Sequence, residues 1–341
     1  MGKVGIGFVG AGFLADMFAR CYREIPEVDL VAVFSRSEER AKGFAEKFGV
    51  KAYYTDYEKM LRRDDLDAVN ICVPNYVHAP MTVAAAEHGK HVLCTKPLAV
   101  SMSQADEMVK ACEKAGVKFM YGENWLYTPA AYRVREIIEE GALGRILAIE
   151  AREQHSGSHS PYALKKKFSG GGVLIHMAVH PIGFIMHMIG KPVVRVYAEL
   201  GNLLHDIEGE DYAVMLMRFE GRESGIAQSN YITKGGMQDR IEIYGSEGMA
   251  FMNLTHANPV KIYSDVGYSY VVEKASMSKG WTSPVIDERY QYGFANMVRH
   301  FVESILKDEE PLSTGAFGRE VLRVIFAGYE SHEKKAAVNL Q

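Results

Sequence analysis

Apolar positions along the chain follow two rhythms. In the first third, short runs of branched and aromatic residues (4–9, 30–34, 68–73, 91–94 and 118–121) alternate with longer stretches of helical periodicity (13–25, 37–48, 79–88 and 103–115). Each run is too short for a helix and reads as a buried strand. Strand and helix in alternation imply a parallel sheet covered on both faces. Ser37 is placed to cap one helix, and Gly49, Gly89 and Gly116 stop three of them. A short strand (51–54) and a charged helix (56–63) complete the pattern. From about residue 124 the rhythm changes. A helix over 130–140 is followed by runs at 146–153, 193–200, 211–219, 225–232, 240–245, 249–253 and 261–264, with turn signals such as Glu220-Gly221 between them. Strands outnumbering helices predict an open, mostly antiparallel sheet. Helices over 291–306 and 318–334 close the chain. The expected architecture is α/β plus α+β: a doubly wound parallel sheet over 1–122, then a sheet domain over 123–341.

The first strand runs into Gly10-Ala-Gly12-Phe13-Leu14-Ala15 and then a helix, and a second strand at 30–34 closes a unit of βαβ size. Glycines at this spacing let the backbone approach a pyrophosphate, whose charge meets the amides and positive dipole end of the helix start. A glycine fingerprint is weak alone; between a strand and a helix it becomes specific for a dinucleotide. The predicted contacts are Gly10, Gly12, Phe13 and Leu14.

Composition narrows the picture further. The chain has 341 residues and a formal net charge of −4, which argues against a nucleic-acid or membrane-surface partner. Its four cysteines, Cys21, Cys72, Cys94 and Cys112, contain no CxxC and read as reduced thiols. A strand begins within three residues of the start, so no signal peptide is expected and the location predicted is cytoplasmic. The longest apolar stretch, 173–189, holds His176, His180, Pro181 and His187 and reads as one core helix rather than a membrane span.

Candidate chemistry clusters at predicted strand ends. Ser35 and Arg36 follow the second strand where an acidic residue would otherwise meet a ribose hydroxyl; they suit a 2′-phosphate and favour NADP over NAD. Ligands of open α/β sheets bind beyond the carboxyl ends of strands, where Pro74, Asn75, His78, Thr95, Lys96, Glu123 and Asn124 fall. Lys96, between a buried strand and Pro97, is a credible proton-transfer group. His176 and His180 are four apart, on one face of the predicted helix after Ser169-Gly-Gly-Gly172. Such a pair suits a base near a substrate hydroxyl, or two ligands of a divalent metal with Glu123, His155 or His159 as a third. Tyr121, Trp125 and Tyr127 suit the apolar face of a sugar, and equally a core. His187 reads as packing.

Together these features resemble the glucose–fructose oxidoreductase, inositol dehydrogenase and rhizopine-catabolism family of nicotinamide oxidoreductases. The resemblance spans nearly the whole chain and rests on Gly7-Phe-Val-Gly-Ala-Gly12, Val73-Pro-Asn75 with His78, and Lys90-His-Val-Leu-Cys-Thr-Lys-Pro97. It continues in Glu140-Gly-Ala-Leu-Gly144, Gly170-Gly-Gly with His180, and Glu310-Pro with Thr314-Gly. It implies a Rossmann domain, an open-faced sheet domain that mediates homodimers or homotetramers, a catalytic role for Lys96, and a general acid/base role for His180. There are two departures: Thr95 stands where the family has glutamate, and His176 where it has aspartate. The implied activity is NAD(P)-dependent hydride transfer at a secondary hydroxyl of a sugar, polyol or sugar acid. Glu123, Asn124, His155, Tyr162 and His176 are candidates for holding other hydroxyls. No resident metal is expected. Two rival readings are a metal- or cofactor-assisted lyase, isomerase or hydrolase working through a transient keto sugar, and a non-catalytic redox sensor.

Overall fold

The computed structural model describes residues 3–158, 161–255, 262–265, 279–282 and 287–340. The chain divides into two compact units, Met1–Asn124 with Phe294–Glu320, and Trp125–Gly293 with Val321–Gln341.

In the first unit, strands and helices alternate: β1 (Val4–Val9), α1 (Phe13–Tyr22), β2 (Val28–Phe34), α2 (Glu38–Phe48), β3 (Ala52–Tyr54), α3 (Tyr57–Leu61) and β4 (Ala68–Ile71). They continue with α4 (His78–Glu87), β5 (His91–Thr95), α5 (Met102–Ala115) and β6 (Phe119–Gly122). The six strands lie in the order β3-β2-β1-β4-β5-β6, and every neighbouring pair is parallel. Helices on both faces explain why β1 and β4 are buried at every position instead of alternating. Local signals set the helix ends. The Ser37 hydroxyl accepts the Arg40 amide at the start of α2, and Gly49 closes it at φ 70°. Strand order reverses between β1 and β4, which opens a crevice at their carboxyl ends.

The second unit holds α6 (Pro129–Glu139), β7 (Ile146–Gln154), α7 (Lys166–Ser169), α8 (Val173–His176), α9 (Val179–Ile189), β8 (Val193–Gly201), β9 (Tyr212–Phe219) and β10 (Ser224–Asn230). After these come β11 (Gln238–Gly245), β12 (Met249–Asn253), the separate hairpin β13 (Ile262–Ser264) and β14 (Gly280–Thr282), and α10 (Glu288–Gln291). The chain ends with α11 (Phe294–Lys307), α12 (Gly315–Lys334) and β15 (Val338–Asn339); the division between the units falls within α12. Seven strands form one sheet, β12-β11-β7-β10-β9-β8-β15, antiparallel except where β7 pairs with β10. On β9, Ala213, Met215, Met217 and Phe219 are buried beneath the sheet, whereas Leu216 faces outward. The first unit takes Phe294–Glu320 through side-chain packing: Phe294 meets Phe18 edge-on at 5.7 Å. The Tyr121 amide also donates to the Ser313 carbonyl at 2.7 Å.

Two expected helices are broken. The apolar stretch 173–189 is not one helix: Lys166–His176 and Val179–Ile189 meet at a 51° bend. The cause is Pro181, which has no N–H to return to the Met177 carbonyl and is tolerated only in a first turn, so the helix restarts at Val179. His176 therefore ends α8 and His180 begins α9, instead of sharing a continuous face. The helix expected over 291–306 is interrupted at Gly293, at φ 80°. No single helix among the described residues is long and apolar enough to cross a membrane.

Burial pushes the His187 imidazole down to about 4, and the Arg135 charge acts the same way. Burial also lowers His78 and His91. Below the ordinary value of 6.5 the unfolded chain takes up protons that these sites refuse. Stability present at neutral pH is therefore lost as pH falls from 6.5 towards about 4. The midpoint of thermal unfolding should drop across this window, and His187→Gln should shrink the drop. An identical drop in the variant would remove His187 as a source of it.

Candidate active site

The glycine turn after β1 is built for a close approach. Gly10 has φ 111°, and a Cβ there would lie 2.6 Å from the Cys72 carbonyl at the end of β4. Gly12 is the N-cap of α1 in extended geometry, and no side chain caps the helix. A Cβ on Gly12 would meet nothing within 4 Å, so the space in front of the first amides is open. Phe13 stands 59% exposed beside it and Leu14 is half-buried. Unmet helix amides, a positive dipole end and open space at the switch point fit the pyrophosphate of a dinucleotide. At the end of β2, the Ser35 hydroxyl accepts the Ser37 amide at 3.3 Å. Arg36 is exposed and forms no ion pair among the described residues.

The loops after β4 and β5 are tied together by His78. It is wholly buried, with Nε2 2.9 Å from the Val73 carbonyl and Nδ1 3.0 Å from the Pro97 carbonyl. A ring at 0% exposure has no surface to offer a cofactor, so His78, expected as a contact, instead positions the loop that bears Lys96. Thr95 is likewise committed to the fold, donating its hydroxyl to the Ile71 carbonyl at 2.9 Å. Pro74 leads a turn of 3-10 helix, Asn75–Val77, that holds Asn75 half-buried. Lys96 is half-buried before the cis bond to Pro97. Glu123 is wholly buried and Asn124 is 8% exposed.

In the second unit, His180 is 4% exposed and lies parallel to the Trp125 ring, with centroids 5.8 Å apart and planes 13° apart. A second group forms around Tyr231, just after β10. Its hydroxyl is hydrogen-bonded to Nδ1 of His176, and its ring stacks on His155 at 5.5 Å. Burial raises the Tyr231 pKa far above the ordinary phenol value, and the negative charges of Glu153 and Glu210 add to this. The Gly157 amide donates to Nδ1 of His155 at 3.0 Å. Tyr162 meets Phe168 edge-on at 5.4 Å.

The glycine run at 170–172 serves the fold. Both oxygens of Glu210 cap α8, accepting the Gly172 amide at 3.1 Å and the Leu174 amide at 2.8 Å. The Tyr329 hydroxyl donates to the same carboxylate at 2.8 Å. A Cβ on Gly172 would lie 2.3 Å from the Glu210 backbone, which explains the glycine. Sequence reasoning missed Tyr231, Glu210 and Tyr329; a tyrosine directly after a strand end was the available signal for the first. Among the described residues no three His, Cys, Asp or Glu side chains are grouped to hold a metal ion, and His159 lies outside those residues.

Comparison with known proteins agrees with the fold. The model described as "Oxidoreductase family, NAD-binding Rossmann fold" matches residues 4–123, and that of the GFO/IDH/MocA C-terminal domain matches residues 132–251. The chain is 26% identical to myo-inositol 2-dehydrogenase of Thermotoga maritima, over 98% of each protein. It is 27% identical to D-apiose dehydrogenase of Paraburkholderia graminis, over 98% of this chain and 88% of that one. The crystal structure of GenD2 from gentamicin A biosynthesis, in complex with NAD, aligns with a TM-score of 0.94 at 26% identity. That alignment covers 100% of this chain and 97% of the other.

Removing the Glu210 carboxylate takes the acceptor from the buried Leu174 amide and the Tyr329 hydroxyl and leaves the Gly172 amide only its 3.3 Å contact to that hydroxyl. Glu210→Ala should cost about 3 kcal/mol or more of unfolding free energy, measured by urea denaturation. A cost within about 0.5 kcal/mol, the range of ordinary surface changes, would contradict the capping role.

Proposed function

This chain belongs to the GFO/IDH/MocA family of NAD-binding oxidoreductases, and on that premise we propose that it transfers hydride between a nicotinamide dinucleotide and a secondary hydroxyl or keto group of a sugar, polyol or sugar acid. The observation that carries the reading is the uncapped start of α1 behind Gly10 and Gly12, open at the switch point of the parallel sheet. The names of the dehydrogenases of myo-inositol and D-apiose support the substrate class.

When bound, the dinucleotide supplies the hydride acceptor. Gly10, Gly12, Phe13 and Leu14 receive its pyrophosphate, Ser35 and Arg36 its adenosine ribose, and Pro74, Asn75, Thr95 and Asn124 line its path along the strand ends. His180 takes the proton of the reacting hydroxyl, with its ring plane held by Trp125. Lys96 stabilises the negative charge that develops on oxygen. Asn124, His155, Tyr162 and His176 hold the remaining substrate oxygens, whereas Glu123, wholly buried like His78, has no surface to offer them. With no acidic residue at the end of β2 and Arg36 exposed, we expect NADP to be used in preference to NAD.

Self-association fits the open sheet face. A cross-strand row there runs Tyr197, Leu216, Ile226, Glu150, Glu242, Phe251. Leu216 is 48% and Phe251 66% exposed, which suits a homodimer or homotetramer. Four free cysteines suit the cytoplasm.

Purified protein offered sugars, polyols and aldonic acids with NAD and NADP in turn should reduce one dinucleotide, read as absorbance at the reduced nicotinamide band. Lys96→Met and His180→Asn should each lower kcat by about 100-fold or more. Near wild-type turnover in either variant would remove that residue from the chemistry. Losing a charge-assisted contact, Arg36→Ala should lower kcat/KM with NADP by about tenfold and leave NAD nearly unchanged. Equal losses with both dinucleotides would defeat the NADP assignment.

A further inference from the structure

We propose that one end of the seven-stranded sheet carries a second ligand site, in which Arg195, Arg218 and Arg222 take a phosphate group, either inorganic phosphate or the phosphate of a small phosphorylated molecule. The inference goes beyond the hydride-transfer reading and does not depend on it.

Arg195 on β8 stands directly opposite Arg218 on β9 and, on its other side, opposite Asn339 on β15. The register of β8 shifts between Val193 and Arg195, with Val194 as the extra residue of a bulge. Arg222 lies in the turn from β9 to β10, at φ 76°. Its amide donates to the Phe219 carbonyl at 3.1 Å, and its own carbonyl accepts the Arg218 guanidinium. All three arginines are exposed. With Val194 and Asn339 they line an open cavity of about 430 Å³, within the size range of small-molecule sites. Arg218 faces Ser224, the first residue of β10, whereas Tyr231 follows the last. At the rise of an extended strand those two ends lie roughly 20 Å apart. The cavity is therefore no part of the group around Tyr231.

Like charges directly opposite across a sheet repel, and Arg195 and Arg218 form such a pair. Among the described residues none of the three arginines forms an ion pair. The carboxylates close by in the chain do not answer them. Glu223 is engaged by Lys191, Glu199 accepts the Tyr197 hydroxyl, and Glu220 forms no ion pair among the described residues. The turn adds a second cost. A left-handed residue closing a tight hairpin is usually glycine, because a Cβ is strained there. Arg222 accepts that strain and sets a third positive charge beside the other two. Backbone strain of this kind gathers at ligand clamps. An anion in the cavity would offset both costs. Guanidinium groups meet oxyanions through paired N–H donors, and Asn339 adds an amide. A carboxylate has two oxygens and one charge, enough for one such fork. A phosphate ester offers three terminal oxygens and nearly two charges, so it is the oxyanion that three arginines suit.

The test titrates the full-length enzyme at low ionic strength with inorganic phosphate and, separately, with glucose 6-phosphate, read by isothermal calorimetry with glucose as control. Arg195→Gln and Arg222→Gly should each weaken phosphate binding by about tenfold or more. Phosphate held at the open start of α1 would survive both substitutions, so equal affinity in wild type and variants overturns the site. Tighter binding of glucose 6-phosphate than of inorganic phosphate assigns the cavity to a phosphorylated molecule, and the reverse assigns it to free phosphate; either sustains it. A wild type that binds neither, or binds chloride as tightly as phosphate, holds an adventitious ion only and overturns it. Without phosphate, both variants should unfold at a higher temperature than the wild type. One removes a facing charge, and the other gives the left-handed position its preferred residue. A fall in both midpoints overturns the proposal, since the arginines would then serve the fold. Because the readouts are binding and stability, failure of the hydride-transfer reading leaves this result standing.

Discussion

A helix begins with backbone N–H groups that nothing inside the helix can satisfy, and the chemistry of this protein is arranged by what meets them. At α1 no side chain does. Gly12 leaves open space in front of the amides, and the left-handed Gly10 lets the turn pass close to the carbonyl of Cys72. At α8 the same need is met from within. Glu210 reaches back over the glycine run and takes two amides with one carboxylate. Two glycine-rich lead-ins thus have opposite uses. One helix start is left open, and the other is closed by a negative charge of the protein's own.

Burial decides what each imidazole can do. His78 has no exposed surface and both of its nitrogens face backbone carbonyls, one of which accepts its single N–H, so it is part of the frame between two strand-end loops. His187, half-buried near Arg135, has its pKa lowered to about 4 and stays neutral at physiological pH. His180 is nearly as buried as His78 and lies parallel to the Trp125 ring, a contact that orients the ring plane. A ring wedged between backbone carbonyls, as His78 is, has no nitrogen left for chemistry.

The parallel sheet was legible because strands buried on both faces write uninterrupted apolar runs, and because Ser37, Gly49 and Gly116 act on their own neighbours. What escaped sequence reading depends on distant partners. The parallel pairing of β7 with β10 inside an otherwise antiparallel sheet is a matter of topology, not of local periodicity. The packing of Phe294 on Phe18 and the two-residue strand β15 are likewise long-range. The break between α8 and α9 was written locally, in Pro181, but the continuous apolar pattern around it outweighed that signal. The glycine fingerprint, Lys96 and the two histidines stood out by residue type. Their supports, Glu210 and Tyr231, look like ordinary strand-end residues until the fold brings His176 against the phenol.

That last contact explains how a histidine at 176 is held in order. The fixed element is the Tyr231 hydroxyl, buried and needing an acceptor. A carboxylate oxygen would supply one, and so does Nδ1 of a neutral imidazole, so the interior is satisfied either way. His180, the group proposed to move the proton, begins a different helix and lies parallel to a different ring, so the two histidines are positioned independently.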